Sequence, residues 1–134
     1  AQNVMAPVAR QMIARGIEGS IVVLASVAAF VGGGLMGRGA YATSKAAVLG
    51  LVRSYARELA GHKIRTNTVS PGATDTPMTA SLTQEQRERI LAGTLTGSFM
   101  QPEELVKVIQ FLLSDESIAI NGQTLHANNG TFLG

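Results

Sequence analysis

The chain has 134 residues, 46% hydrophobic and 15% charged, the balance of a folded, core-rich protein rather than a disordered one. Its net charge of +2 comes without a basic cluster, and two tyrosines, four phenylalanines and no tryptophan leave little to stack on bases, which argues against nucleic acid as a partner. The absence of cysteine removes disulfides, thiol catalysis and zinc knuckles, and the two histidines, His62 and His126, stand far apart and read as surface or turn residues, so no metal site is expected.

No apolar run approaches the roughly 18 residues of a membrane span, and no signal peptide is expected. A soluble, cytoplasmic protein without a membrane partner is the expectation. The length suits a single domain, 1–134. The chain opens without an initiator Met and already in a helical pattern, as though cut into a longer protein.

Val4, Val8, Met12 and Ile13 recur at helical spacing and predict a helix over about 7–15, closed by Gly16 and Gly19. Pro7 suits its first turn, or a kink if the helix begins earlier. Residues 21–25, IVVLA, form a β-branched apolar run, as in a parallel strand buried on both faces and ending at Ser26. A glycine-rich loop follows. A second helix over about 40–60 carries Ala46, Val48, Leu49, Leu51, Val52, Tyr55 and Leu59 on a broad apolar face, and Gly61 stops it. That breadth suits burial on more than one side, or a subunit contact.

Residues 63–70 form the next strand, broken by Pro71-Gly72, which completes a βαβ unit with a right-handed crossover. In parallel sheets, ligands sit outside the carboxyl ends of the strands. Ser26 and Pro71-Gly72 both fall at that edge. Residues 73–82 are small, polar and turn-rich, and read as a mobile loop. Thr83 to Gln86 has the form of a capping box and predicts a helix over 84–92 that ends at Gly93. Gln101-Pro102-Glu103-Glu104 opens another, with Leu105, Val108, Ile109, Leu112 and Leu113 inward. Asn121-Gly122 makes a turn before a last strand at 123–127. The pattern is α/β.

Tyr41 and Lys45 stand four residues apart on one helical face. A cation beside a phenol favours the ionised form, and a phenol tuned in this way exchanges a proton near neutral pH. An ordinary half-buried Tyr with a solvated Lys is the bland alternative. Ser26 is either a carbonyl-orienting hydroxyl or a structural one. As a nucleophile it lacks a G-x-S-x-G elbow and a nearby histidine base. Gly32 to Gly37 formally matches G-x-G-x-x-G, yet it does not follow a strand directly, and Glu58, where the ribose-binding acid would fall, lies within a helix. The glycines read as a flexible loop. Thr74 and Thr76 offer hydroxyls at the mouth of the crevice, with plain turn chemistry as the rival reading. Glu85, Glu88, Glu103 and Glu104 read as solvated charges rather than a glycosidase pair.

Taken in order, Ser26 after a strand, Tyr41-Ala-Thr-Ser-Lys45 on a helix and Asn67-Thr-Val-Ser-Pro71-Gly72 after the next strand resemble the short-chain dehydrogenase/reductases. Pro102-Glu-Glu-Leu105, Phe111-Leu-Leu-Ser-Asp115 and Gly122-Gln-Thr-Leu125 resemble that family's final helix and strand. The resemblance implies a Rossmann-like parallel sheet with flanking helices, here the C-terminal half of the doubly wound fold. It implies an oxidoreductase that moves hydride between NAD or NADP and a small-molecule carbonyl or alcohol substrate. Tyr41 would be the general acid/base, Lys45 its partner and a ligand of the nicotinamide ribose, and Ser26 the holder of the substrate oxygen. Pro71, Gly72, Thr74 and Thr76 would line the nicotinamide end, residues 73–93 would form the substrate lid, and the protein would be a homo-oligomer, dimer or tetramer.

The departures define a rival. The family's glycine fingerprint after the first strand, its adenine-pocket acid and its N-N-A-G strand are absent. Asn3 stands closer to Ser26 than the family's helix Asn, the loop from Ser26 to Tyr41 is slightly longer, and Asn128-Asn129-Gly130 replaces the customary Asp-Gly-Gly turn. A truncated, non-catalytic fragment, acting only as a structural or oligomerising module, is therefore the alternative.

Overall fold

Three parallel strands, β1 (Gly19–Leu24), β2 (Ile64–Pro71) and β3 (Thr124–Ala127), form one sheet in that order, with β2 at its centre. The computed structural model describes residues 1–35, 37 and 39–134. Helix α1 (Gln2–Arg15) precedes β1, and α2 (Ala28–Val31) and α3 (Ala40–Glu58) lie between β1 and β2. Helices α4 (Pro77–Ala80), α5 (Gln84–Leu91) and α6 (Pro102–Leu113) lie between β2 and β3. No helix among the described residues is long and apolar enough to cross a membrane.

Alternate residues of each strand face opposite sides of the sheet. Ile21, Val23 and Ile64 point to one face, where Met5 and Ala9 of α1 and Val48, Leu49, Val52 and Tyr55 of α3 close the core over them. On the other face Ser20 and Arg65, which are register partners, turn toward the end of α6. The Ser20 hydroxyl donates to Leu112 O at 2.7 Å. The Arg65 guanidinium donates to Leu112 O, Ser114 O, Ile120 O and both the carbonyl and hydroxyl oxygens of Ser117, at 2.9–3.3 Å. A helix end leaves carbonyls without partners, and this side chain satisfies them. Asn67, fully buried beside it, donates to Ile120 O and accepts from Gln123 N, which fixes the turn that delivers β3.

Several elements differ from the sequence expectation, each for a local reason. Helix α1 begins at Gln2 rather than near 7, so Pro7 lies inside it, and its missing N–H leaves one turn without a bond. β1 starts at Gly19 because Gly19 N donates to Lys63 O, which extends the ladder upstream of the apolar run. The segment after Ser26 is not loop throughout, since α2 occupies 28–31; Met36, within the glycine run, lies outside the described residues. Residues 73–82 are tied down by Asp75 N donating to Met100 O, by Met100 N donating to Ala73 O and by α4. Ala46 and Leu113 are exposed although their helices bury neighbouring positions; Leu113 is one residue, or about 100° of helix, past the fully buried Leu112. Among the described residues no strand pairs with the outer edge of β1.

The capping box at Thr83 forms as expected: Thr83 Oγ1 accepts from Gln86 N, and Gln86 Oε1 accepts from Thr83 N. At the amino ends of the strands Lys63 meets Glu18 at 2.8 Å, and that hydrogen bond and opposite charge raise the Lys63 pKa. Both side chains are exposed, so the pair adds little to stability.

The core assignment predicts a contrast. Ile64→Ala, at a site 1% exposed, should cost about 2–5 kcal/mol in urea unfolding, whereas Val4→Ala, at a site 67% exposed, should stay within about 0.5 kcal/mol.

Candidate active site

Parallel pairing brings the carboxyl ends of all three strands to one edge, and the chain leaves β1 at Ser26, β2 at Gly72 and β3 at Asn128. The first two exits are joined, since Val27 N donates to Pro71 O at 2.9 Å and Ala25 N to Val69 O at 2.8 Å. Ser26 is half-buried at the start of the turn into α2; its hydroxyl oxygen accepts from Ala28 N at 3.2 Å and its carbonyl from Ala29 N. Its hydroxyl proton remains available to an acceptor in the crevice. Ser26 thus occupies the strand end that the sequence indicated.

Tyr41 and Lys45 occupy the first turns of α3, which packs on α2. Tyr41 is 43% exposed, and the Lys45 ammonium lies 5.7 Å from its ring centroid. That ammonium also donates to Leu24 O at 3.0 Å. Residues 23 and 25 direct their backbone groups at β2, so Leu24, between them, presents its carbonyl along the unpaired edge of β1. Lys45 therefore reaches from the helix to the end of the first strand, and its charge is held at the same edge as Ser26.

Gly37 explains the orientation of the phenol. A Cβ there would overlap the Tyr41 ring, and its φ of +81° also disfavours any other residue. The glycine run read from sequence as a plain flexible loop thus contributes a close approach that seats Tyr41. Gly72 is a second such contact. A Cβ at 72 would lie 2.8 Å from both Cα and O of Asn128, so glycine lets the exit of β2 run flush against that of β3. Gly72 N donates to Ala127 O at 2.9 Å in the same place.

Thr74 and Thr76 both lie past this exit, with their polar groups engaged locally. Thr74 Oγ1 donates to Gly72 O at 3.3 Å, and the Thr79 hydroxyl accepts from Thr76 N while lying 2.9 Å from Thr74 O. The turn chemistry weighed for these threonines is therefore present in the structure. The segment beyond is held by Arg87, which donates to Thr79 O, lies 3.6 Å from Asp75 and stacks over Phe99 at 4.5 Å. Of the two histidines, His62 is exposed in a turn, but His126 is on β3, half-buried and edge-on to Phe30 at 4.6 Å. The surface-or-turn reading of His126 is corrected. The strand itself was expected, and the half-burial of its histidine comes from contact with Phe30 of α2. Among the described residues no group of three or more His, Cys, Asp or Glu is placed to hold a metal ion.

The chain is similar to several known proteins. A family model described as Enoyl-(Acyl carrier protein) reductase matches residues 2–131. A 3-oxoacyl-(acyl-carrier-protein) reductase of Thermotoga maritima is 44% identical over 113 residues, covering 84% of this chain and 45% of that protein. The crystal structure of a 3-oxoacyl-(acyl-carrier protein) reductase from Brucella melitensis superposes with a TM-score of 0.92 at 30% identity, over 98% of this chain and 48% of that one. A 4-hydroxyisoleucine dehydrogenase complexed with NADH gives a TM-score of 0.88 at 28% identity, over 98% of this chain and 54% of that one. The chain thus spans about half the length of the relatives it matches.

The Gly37 contact yields a prediction that needs no activity. Gly37→Ala should displace the Tyr41 ring, seen as shifted Tyr41 aromatic resonances, and cost about 1–3 kcal/mol in urea unfolding. Unmoved Tyr41 resonances would refute the contact. With a family model matching residues 2–131 and a relative 44% identical over 84% of the chain, the chain belongs to the short-chain dehydrogenase/reductase family.

Proposed function

We propose that this chain is the C-terminal, catalytic portion of an NAD(P)-dependent carbonyl reductase or secondary alcohol dehydrogenase. The observation that carries the reading is the exposed Tyr41 phenol on the first turn of α3, with the Lys45 ammonium below its ring and at the strand edge shared with Ser26.

In the reductive direction Tyr41 Oη gives its proton to the substrate carbonyl oxygen as that oxygen gains negative charge. In the oxidative direction the phenolate takes the alcohol proton. Lys45 stabilises the phenolate by its charge, and Ser26 Oγ–H donates to the same substrate oxygen and fixes its position. The nicotinamide group supplies or accepts the hydride when bound. Its ring would lie against Pro71 and Gly72, its carboxamide near the Thr74–Thr76 turn and its ribose within reach of Lys45. The residues present fit this half of a dinucleotide. For the pyrophosphate, the described residues offer no run of glycines directly after a strand, and Gly32 follows α2 instead. A longer parent chain would supply that part. Homo-oligomerisation and a soluble, cytoplasmic setting belong to the same reading.

In the full-length parent, Tyr41→Phe should lower turnover by about 100-fold or more while nicotinamide binding persists. Unchanged turnover would remove Tyr41 from the mechanism. The rival, a structural or oligomerising fragment, is favoured by the unpaired edge of β1 and the half-length coverage. Fluorescence titration of this chain with NADH and NADPH separates the two. Saturable binding contradicts the fragment reading, and its absence confines the chemistry to the longer protein.

A further inference from the structure

Beyond β3 the chain folds into a tight hook, residues 128–132, built around the buried Asn128 side chain. Asn128 Oδ1 accepts from Gly130 N at 3.0 Å, its carbonyl accepts from Thr131 N and Oγ1, and its Nδ2 donates to Phe132 O at 3.1 Å. The hook touches three neighbouring segments. Toward the β2 exit, the Asn128 backbone fills the space that a side chain on Gly72 would need. Toward the Ser26 arm, Phe132 stacks on Phe30 at 4.9 Å with an interplanar angle of 28°, and His126 lies against both rings. Phe30 belongs to α2, whose first turn bonds to the Ser26 hydroxyl, and Phe30 N itself donates to Val27 O.

Toward the segment that follows α5, Asn129 O accepts from Leu95 N at 2.8 Å and Asn129 Nδ2 donates to Ser98 O at 2.9 Å. Asn129 has a φ of 51°, the left-handed conformation that glycine adopts freely and that asparagine tolerates best among side-chain-bearing residues. Glycine would satisfy the backbone at this position. It would not make the bond to Ser98.

We propose that this hook is a positioning device for the site, with Phe132 setting the Ser26 arm through Phe30 and Asn129 fastening the segment at 94–98 that follows the expected substrate lid at 73–93. Phe132 and Asn129 touch no reacting atom; they act through α2 and through Ser98. The relevance to turnover rests on the oxidoreductase reading above, whereas the positioning itself does not.

The test has two arms, so that the failure of one reading is not mistaken for failure of the other. In this chain, amide hydrogen exchange and aromatic NMR should show Phe132→Ala shifting the Phe30 and His126 ring signals and speeding exchange at Ala28, with Phe132→Tyr restoring both. Asn129→Gly, which preserves the backbone conformation, should speed exchange at Leu95 and Gly97 by roughly fivefold, the equivalent of one hydrogen bond. Unaltered Ala28 and Phe30 signals in Phe132→Ala, or unaltered exchange at Leu95 and Gly97 in Asn129→Gly, overturn the proposal. In the full-length parent, Asn129→Gly should raise KM for the carbonyl substrate by roughly fivefold with nicotinamide affinity unchanged. An equal fall in cofactor affinity would overturn the assignment to the substrate side. A parent without any turnover would instead refute the oxidoreductase reading and leave the exchange results to decide the hook.

Discussion

The parallel pairing of β2 with a strand on each side is the constraint on which the rest of the molecule depends. It sends three chain exits to one edge, and every group assigned to the site hangs from one of them or from the helix between two of them. An antiparallel neighbour would send Ser26 or Asn128 to the opposite end, 20 Å or so away for a strand of this length. The sheet holds this arrangement because its central strand is buried on both faces. On one face Ile64 joins the apolar core under α3, with Thr66, Thr68 and Ser70 buried along the same side, and on the other Arg65 bonds the end of α6 while Asn67 bonds the turn before β3.

Lys45 shows how the site and the sheet edge are coupled. Its ammonium has two attractive neighbours, the face of the Tyr41 ring and the Leu24 carbonyl, and both lie where β1 ends. The carbonyl is accessible because no described strand pairs with that edge. A lysine on a flexible stem can move from such a carbonyl to a ribose hydroxyl by side-chain rotation alone, with the helix and strand unmoved. The rigid parts therefore supply the placement of the charge, and its final ligand depends on what else reaches the crevice.

Much of the frame was legible in the sequence, because strong periodic or punctuating signals coincide with its elements. The apolar run at 21–25, the capping box at Thr83 and Pro102 with its following acids each correspond to a local structure that forms largely as expected, whereas the second helix ends at Glu58, ahead of Gly61, which lies inside a short 3-10 turn. The Tyr41–Lys45 spacing and the strand-end position of Ser26 were equally readable. What escaped was held by long-range contacts. The hook at 128–132 shows as no more than an unusual Asn-Asn-Gly, and its partners, Phe30, Leu95 and Ser98, lie tens of residues away. Gly37 looked like part of a cofactor decoy, and its use as a seat for Tyr41 becomes visible only when the helix is folded back. The half-burial of His126 on the expected last strand was missed for the same reason, since its ring neighbours come from two other segments.

The central claim is that the shared strand edge receives the nicotinamide half of a dinucleotide, and nicotinamide mononucleotide is the probe that matches this half alone. Its addition to the isotopically labelled chain, followed by amide and lysine side-chain NMR, tests the claim most directly. The account predicts saturable shifts concentrated at Ser26, Tyr41, Lys45 and residues 71–76, with none near Glu18 and Lys63 at the opposite end of the sheet. Saturable shifts confined to that opposite end, or to the glycines at 32–34 with Lys45 and Gly72 unaffected, would contradict it.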